Sequence, residues 1–269
     1  MIVFWKRVAS GSILVLILAF TFYYGGIPLL ITTWFLSVVG QFELYRAIKI
    51  EKSTFANMGY LITTGYYVNL YTGIIEDFLL FILLTVLIFM FIYVVKYKKY
   101  DVTQVGLAFL GVYYVPVMLS FIYRVRMHGY HGIFFVWLII IASWGADTCA
   151  YIVGMLFGKH KMAPVLSPKK SYEGAVGGVV GASLIALLDA YVMSKIIDIS
   201  NYELLISVIV TMCGALMSIF GDLAASAIKR QYNIKDFGNI IPGHGGVMDR
   251  FDSVIFTAPL VYVLVFYLT

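Results

Sequence analysis

Three aspartates near the carboxyl end of this 269-residue chain have the type and spacing for chemistry. Asp249 and Asp252 stand three residues apart in "HGGVMDRFD", so a helix beginning near Met248 would carry both on one face. Asp222 leads a second group, in which Ser226, Lys229 and Arg230 follow at intervals of four, three and one and share a helical stripe. Carboxylates gathered in one place repel one another unless a cation lies between them. A hard divalent ion such as Mg2+ suits that position, because it takes oxygen from one or two carboxylates and fills its shell with water and phosphate. Lys229, Arg230, Lys235 and Arg250 would then clamp a polyphosphate electrostatically. His244 could be a ligand, a phosphate donor or a loop hydrogen-bonder, and spacing does not separate these roles. The turn at 243–246, with Gly245 and Gly246, can close backbone N–H groups over an anion.

A second stretch, 143–178, places Asp147 inside an apolar run. An ionised side chain at membrane depth costs several kcal/mol unless it faces a partner or a cavity, which marks Asp147 as a site candidate. Further on, Ser167, Lys169 and Lys170 lead into Ser171, a good amino-terminal cap, and Glu173. The unpaired N–H groups of the helix that follows would point at the same place as the lysines, so this segment is expected to bind phosphate. Plainer readings exist for each feature. Gly154 and Gly158 have the spacing of close helix packing, and the 159–171 loop could serve only to set topology. Asp249, Arg250 and Asp252 alone could be an ion-pair knot at a helix start. With Asp222, Lys229, Arg230, Lys235, Asp236 and His244 added, a functional cluster is the better account.

The elements that must position these residues are membrane helices. Mean hydropathy is +0.93, only 12% of residues are charged, and 62% are hydrophobic, which leaves too little polar surface for a soluble globule. Each span needs roughly 20 apolar residues, so the length fits one polytopic domain. The expected fold is all-α, a polytopic integral membrane helical bundle of about nine transmembrane helices. Apolar runs fall at 8–24, 27–45, 78–95, 102–123, 133–157, 174–193, 204–227 and 254–268. The run at 53–71 is weaker, carrying Asn57 and Asn69, and could span, lie in the interface or re-enter. Lys6 and Arg7 precede the first run as in a signal peptide, but no small-residue cleavage site follows, so that run is expected to be retained. Residues 1–130 form the amino-terminal helices and 131–269 the catalytic ones, packed as one membrane domain. Cys149 and Cys213 lie singly in apolar runs and read as small core residues.

Nine spans place 16 of the 19 basic residues on the side of the amino terminus, leaving only Arg124, Arg126 and Lys195 opposite. The amino terminus and both motif loops are therefore expected in the cytoplasm, with the protein multi-pass in the plasma (inner) membrane. The many small-residue helix faces would allow a homodimer. Membrane lipids are the expected surroundings, and nucleic acid is not an expected partner.

Ser226 to Asp252 reads S-A-I-K-R, then K-D-F-G, then I-P-G-H-G-G-V-M-D-R-F-D, without departure from the pattern of the phosphatidate cytidylyltransferase (CDP-diglyceride synthetase) family, which it resembles. The upstream D-T-C-A-Y, G-K and S-P-K-K-S-Y-E-G elements are similar to the same family's second region. The first 130 residues carry no matching motif. The resemblance implies reaction of CTP with phosphatidic acid to give CDP-diacylglycerol and pyrophosphate, with Mg2+ and room for a second metal ion. It implies Asp222 and Asp249 as metal ligands with Asp252 as a third, Lys229, Arg230 and Arg250 neutralising phosphates, and Lys169 and Lys170 holding the CTP tail or departing pyrophosphate. The lipid phosphate is already anionic, which fits the lack of any serine–histidine–acid or reactive-cysteine arrangement. Two other readings are a CTP-dependent polyprenol or phytol-type lipid kinase, and an ion-coupled transporter using Asp147, Asp189 and Asp222.

Overall fold

The structure, a computed structural model, describes residues 2–269, with side chains described from residue 9; Lys6 and Arg7 of the orientation count thus lie outside the described side chains. Eleven α-helices occur in the order α1 (Ile2–Tyr24), α2 (Gly26–Ala47), α3 (Thr54–Thr72), α4 (Phe78–Val95), α5 (Val102–Val112), α6 (Met118–Arg126), α7 (Gly132–Ile140), α8 (Ala146–Phe157), α9 (Tyr172–Met193), α10 (Asn201–Gln231) and α11 (Met248–Leu268). Short π turns at Tyr113–Val117 and Ile141–Gly145 join α5 to α6 and α7 to α8, so the chain forms nine continuous helical rods among the described residues. The first π turn contains Pro116, which has no N–H for the regular ladder. One hairpin, β1 (Lys161–Ala163) with β2 (Ser167–Ser171), interrupts the helices.

Among the described residues, seven rods are long and apolar enough to cross a membrane. The protein is therefore an all-α polytopic membrane protein, and the expected nine spans are reached only as helices. α1 contributes the shorter apolar stretch Ala9–Tyr24, and α3 is absent from the seven. Outward-facing side chains explain the composition: on α4, Leu87 is 64% exposed and Phe91 70%. Surface this apolar is stable against hydrocarbon and would be a liability in water.

Ends follow local chemistry. Ser53, Asp101, Ser171 and Ser200 cap α3, α5, α9 and α10 by accepting amide hydrogens from the first turn. Asp101 and Ser200 each form a full capping box, with Gln104 and Glu203.

Two compact units divide the chain, Met1–Ser120 with Ile234–Arg250, and Phe121–Asn233 with Phe251–Thr269. In the first unit, buried polar side chains lace the helices together. Thr63 Oγ1 donates to Gln41 at 2.8 Å, Ser37 and Tyr67 share a hydrogen bond of 2.7 Å, and the Tyr45 hydroxyl donates to Ala108 O at 2.8 Å. Without water, such bonds and close van der Waals contact are what associate membrane helices. In the second unit small residues do this work. On α9, a Cβ at Gly174 would lie 2.8 Å from Ala150 O, and one at Gly178 equally near Ala146 O, so α8 and α9 touch backbone to backbone. Ala182 and Ala215 continue this small-residue core toward α10.

Candidate active site

In the second unit the 159–171 segment is a hairpin rather than an open loop, with Lys161 opposite Ser171 and Ala163 opposite Ser167. Glu173 fastens its entry: the carboxylate accepts the Lys159 and His160 amides and pairs with His160 Nδ1 at 2.6 Å. Ser171 Oγ accepts Gly174 N at 3.1 Å and so starts α9 directly after β2. The hairpin therefore delivers Lys169 and Lys170 to the amino end of a helix.

Beside them lies a cavity of about 570 Å³, whose lining includes Asp147, Ser167, Lys169, Lys170 and Ser171. The rest of its wall is largely small or apolar, including Gly154, Gly174, Met155, Met162, Val179 and Ile219. The glycines that let α8 and α9 approach thus also form part of the cavity wall.

Lys170 Nζ contacts Asp222 Oδ2 at 2.5 Å, with both side chains about three-quarters shielded. Asp252 is buried, accepts its neighbour's amide (Ser253 N, 2.9 Å), and has Asp222, Lys229 and Asp147 as its electrostatic neighbours. Two carboxylates, Asp222 and Asp252, are accordingly held close enough to repel, with Lys170 and Lys229 offsetting them. Ser226, one turn beyond Asp222 on α10, is buried, whereas Arg230 is exposed at that helix's end.

The first unit holds the remaining motif residues in the 234–250 segment. Oδ2 of Asp249 accepts three backbone amides, from Phe237 at 2.8 Å, Gly246 at 3.0 Å and Gly238 at 3.4 Å. A loop of this length is folded largely around one oxygen. Ile241 and Gly245 pair as an isolated bridge, and Gly243 and Gly245 take φ of 77° and 88°, which other residues seldom adopt. His244 Nδ1 meets Ser10 Oγ at 2.8 Å, and Arg250 Nε donates to His244 O at 3.0 Å. Lys235 and Asp236 are exposed.

Among the described residues no three His, Cys, Asp or Glu side chains form a metal-binding cluster. The Asp222–Asp252 pair nevertheless fits Mg2+, which needs only one or two carboxylates when phosphate and water supply the other ligands. The ammonium of Lys170 on Asp222 shows that this carboxylate already stabilises a cation.

Residues 5–268 match the cytidylyltransferase family. The chain belongs to that family. A phosphatidate cytidylyltransferase of Bacillus subtilis is 31% identical over 267 residues, 96% of each chain. Those of Staphylococcus saprophyticus and Staphylococcus epidermidis are 37% and 38% identical over 171 and 174 residues, spans covering 63% of each relative's length. The resemblance read from Ser226 to Asp252 is confirmed by these matches.

Three side chains of this cytidylyltransferase that touch the motif loop escaped the sequence reading. Glu43 on α2 accepts Met248 N at 2.8 Å, Arg46 donates to Phe237 O at 2.6 Å, and Ser10 donates to Pro242 O at 3.0 Å. A signal for Glu43 existed. It is a carboxylate within a membrane-length apolar run, and the argument applied to Asp147 applies to it unchanged.

Proposed function

We propose that this cytidylyltransferase transfers the cytidylyl group of CTP to phosphatidic acid, giving CDP-diacylglycerol and pyrophosphate. The observation that carries the reading is the Lys170–Asp222–Asp252 cluster together with a cavity whose lining joins Asp147, Lys169 and Lys170 to apolar side chains. A phosphate-bearing lipid needs both kinds of lining, and family membership names the nucleotide chemistry.

In the reaction a phosphate oxygen of the lipid attacks the α-phosphorus of CTP. The new P–O bond forms as the bond to the β-phosphate oxygen breaks, and pyrophosphate leaves with that electron pair. No protein nucleophile is required, so the residues act by alignment and charge. Lys169 and Lys170 hold phosphate at the head of α9, whose capped first turn turns its amides toward the same region. Lys229 and Arg230 neutralise the nucleotide from α10, and Asp147 fixes polar atoms within the cavity. Asp222 and Asp252 would hold Mg2+, and the assignment of Asp249 beside Asp222 as a metal ligand rests on the family pattern. The bound ion would supply neutralisation of the charge that builds on the phosphates. In the motif loop, Lys235, His244, Gly245, Gly246 and Arg250 line the path of the nucleotide, an assignment that rests on the family pattern. The amino terminus and both motif segments face the cytoplasm, as the distribution of basic residues supports, so that a water-borne nucleotide meets a lipid held in the inner leaflet.

Incubation of purified protein with phosphatidic acid, Mg2+ and CTP labelled at the α-phosphate tests this. Label should pass to the lipid phase and unlabelled pyrophosphate to water. Lipid labelling from γ-labelled CTP instead would refute cytidylyl transfer and establish a lipid kinase.

A further inference from the structure

We infer that the motif-free amino-terminal helices serve catalysis by clamping the 237–248 loop, with Glu43 as the principal positioning residue. Within the first unit, three side chains from α1 and α2 hold this loop at separate points. Ser10 donates to Pro242 O, Arg46 donates to Phe237 O, and Glu43 accepts the amide of Met248, the first residue of α11. Glu43 and Arg46 are one helical turn apart, so one face of α2 grips both ends of the loop.

Glu43 is the centre of this clamp. Its side chain is fully buried, and Oε1 has no hydrogen-bond partner. A buried carboxylate oxygen left in that state opposes folding, so a compensating role is required. Its surroundings supply one. A Cβ on either Gly238 or Gly246 would overlap the Glu43 carboxylate. These two loop residues are therefore glycines because Glu43 is there, and Asp249 gathers the amides of the same two. Glu43 and Asp249 thus fix the loop together, one through the start of α11 and the other through its interior. This inference rests on the proposed cytidylyl transfer only for its kinetic readout.

The experiment uses the full-length protein in detergent, comparing Glu43→Gln, Glu43→Leu and Arg46→Met with the parent. Amide hydrogen exchange over 237–248 and CTP-dependent lipid labelling are measured on each. Glu43→Leu should speed exchange in that loop while α9 and α10 keep their protection. Its turnover should fall about 10²-fold, as for reacting groups displaced by about 1 Å. Glu43→Gln keeps an acceptor for Met248 N and should recover protection and turnover to within about fivefold of the parent. A general loss of stability would instead raise exchange across all helices and would not be repaired by Gln. Parent-like loop exchange and turnover in Glu43→Leu overturns the inference. If that variant does not fold, Arg46→Met decides, since it removes only one end of the clamp: faster loop exchange supports the clamp, and unchanged exchange overturns it. Should the parent itself fail to label lipid, the proposed reaction is wrong, and loop exchange still tests the clamp.

Discussion

Replacing Asp249 by Asn or by Ala separates its role in shaping the loop from any role at phosphate. Oδ2 accepts two well-placed amides, at 2.8 and 3.0 Å, and a weaker one at 3.4 Å. Hydrogen bonds to a charged acceptor contribute roughly 1.5–3 kcal/mol and neutral ones roughly 0.5–1.5, so Asn, which keeps an oxygen, should weaken the loop by about 2 kcal/mol. Ala leaves both amides unsatisfied in a buried setting, and the loss should reach about 4 kcal/mol. With each 1.4 kcal/mol equal to about tenfold in population, loop opening should rise about 30-fold in Asp249→Asn and close to 10³-fold in Asp249→Ala. Lys235 is exposed at the foot of the loop, so the rate of tryptic cleavage after it reports that opening when reclosing outruns cleavage. Parent-like cleavage in both variants would refute the idea that one carboxylate oxygen organises the segment, whatever their activity.

Asp222→Asn should abolish cytidylyl transfer while leaving the thermal midpoint in detergent nearly unchanged; wild-type-like turnover in the purified variant refutes its metal role. Lys170→Met, which removes the partner of Asp222, should lower turnover by about 10²-fold, the usual cost of one preorganised charge at a phosphoryl centre. Gly178→Leu places a side chain against Ala146 O and should cost about 3 kcal/mol or more by overpacking α8 and α9, read as a lowered thermal midpoint. Val165 at the hairpin tip is 84% exposed, so a lone cysteine there, with Cys149 and Cys213 replaced, should resist an impermeant thiol reagent added to intact cells. Labelling from outside would reverse the proposed orientation.

Helix positions were legible because apolar runs in a membrane protein are long and report burial directly. The run read at 78–95 is α4 to the residue, and α11 begins at Met248, the start at which Asp249 and Asp252 were read as sharing a face, six residues before the apolar run read at 254–268. Family membership was legible in Ser226 to Asp252 for a different reason, since that run is a long fixed pattern of residue types. What stayed hidden was pairing. Lys169 and Lys170 read as phosphate-binding, yet nothing local says that Lys170 reaches Asp222, 52 residues on. Glu43 and Met248 are 205 residues apart, and no periodicity links them. The hairpin at 159–171 lacks the alternation of a strand, and Pro164 and Pro168 interrupt it, so it read as a loop. The spacing of Asp249 was read as metal chemistry, while one of its oxygens is engaged by amides of the motif loop, which are themselves invisible to a pattern of side chains.

The π turn at Ile141–Gly145 carries a final consequence. A π turn holds one residue more than an α turn, and one residue corresponds to roughly 100° about a helix axis. The turn therefore takes up one residue without rotating α8 on α7, and a regular helix through the same residues would carry Asp147 about 100° from its place in the cavity wall. A single-residue deletion at Ala142 would remove that residue, let the rod run as one regular helix and leave Asp147 on the cavity side, whereas a deletion within α7 with the π turn kept would swing it away. The azimuth of that acid is thus set by the number of residues preceding it as much as by their identity.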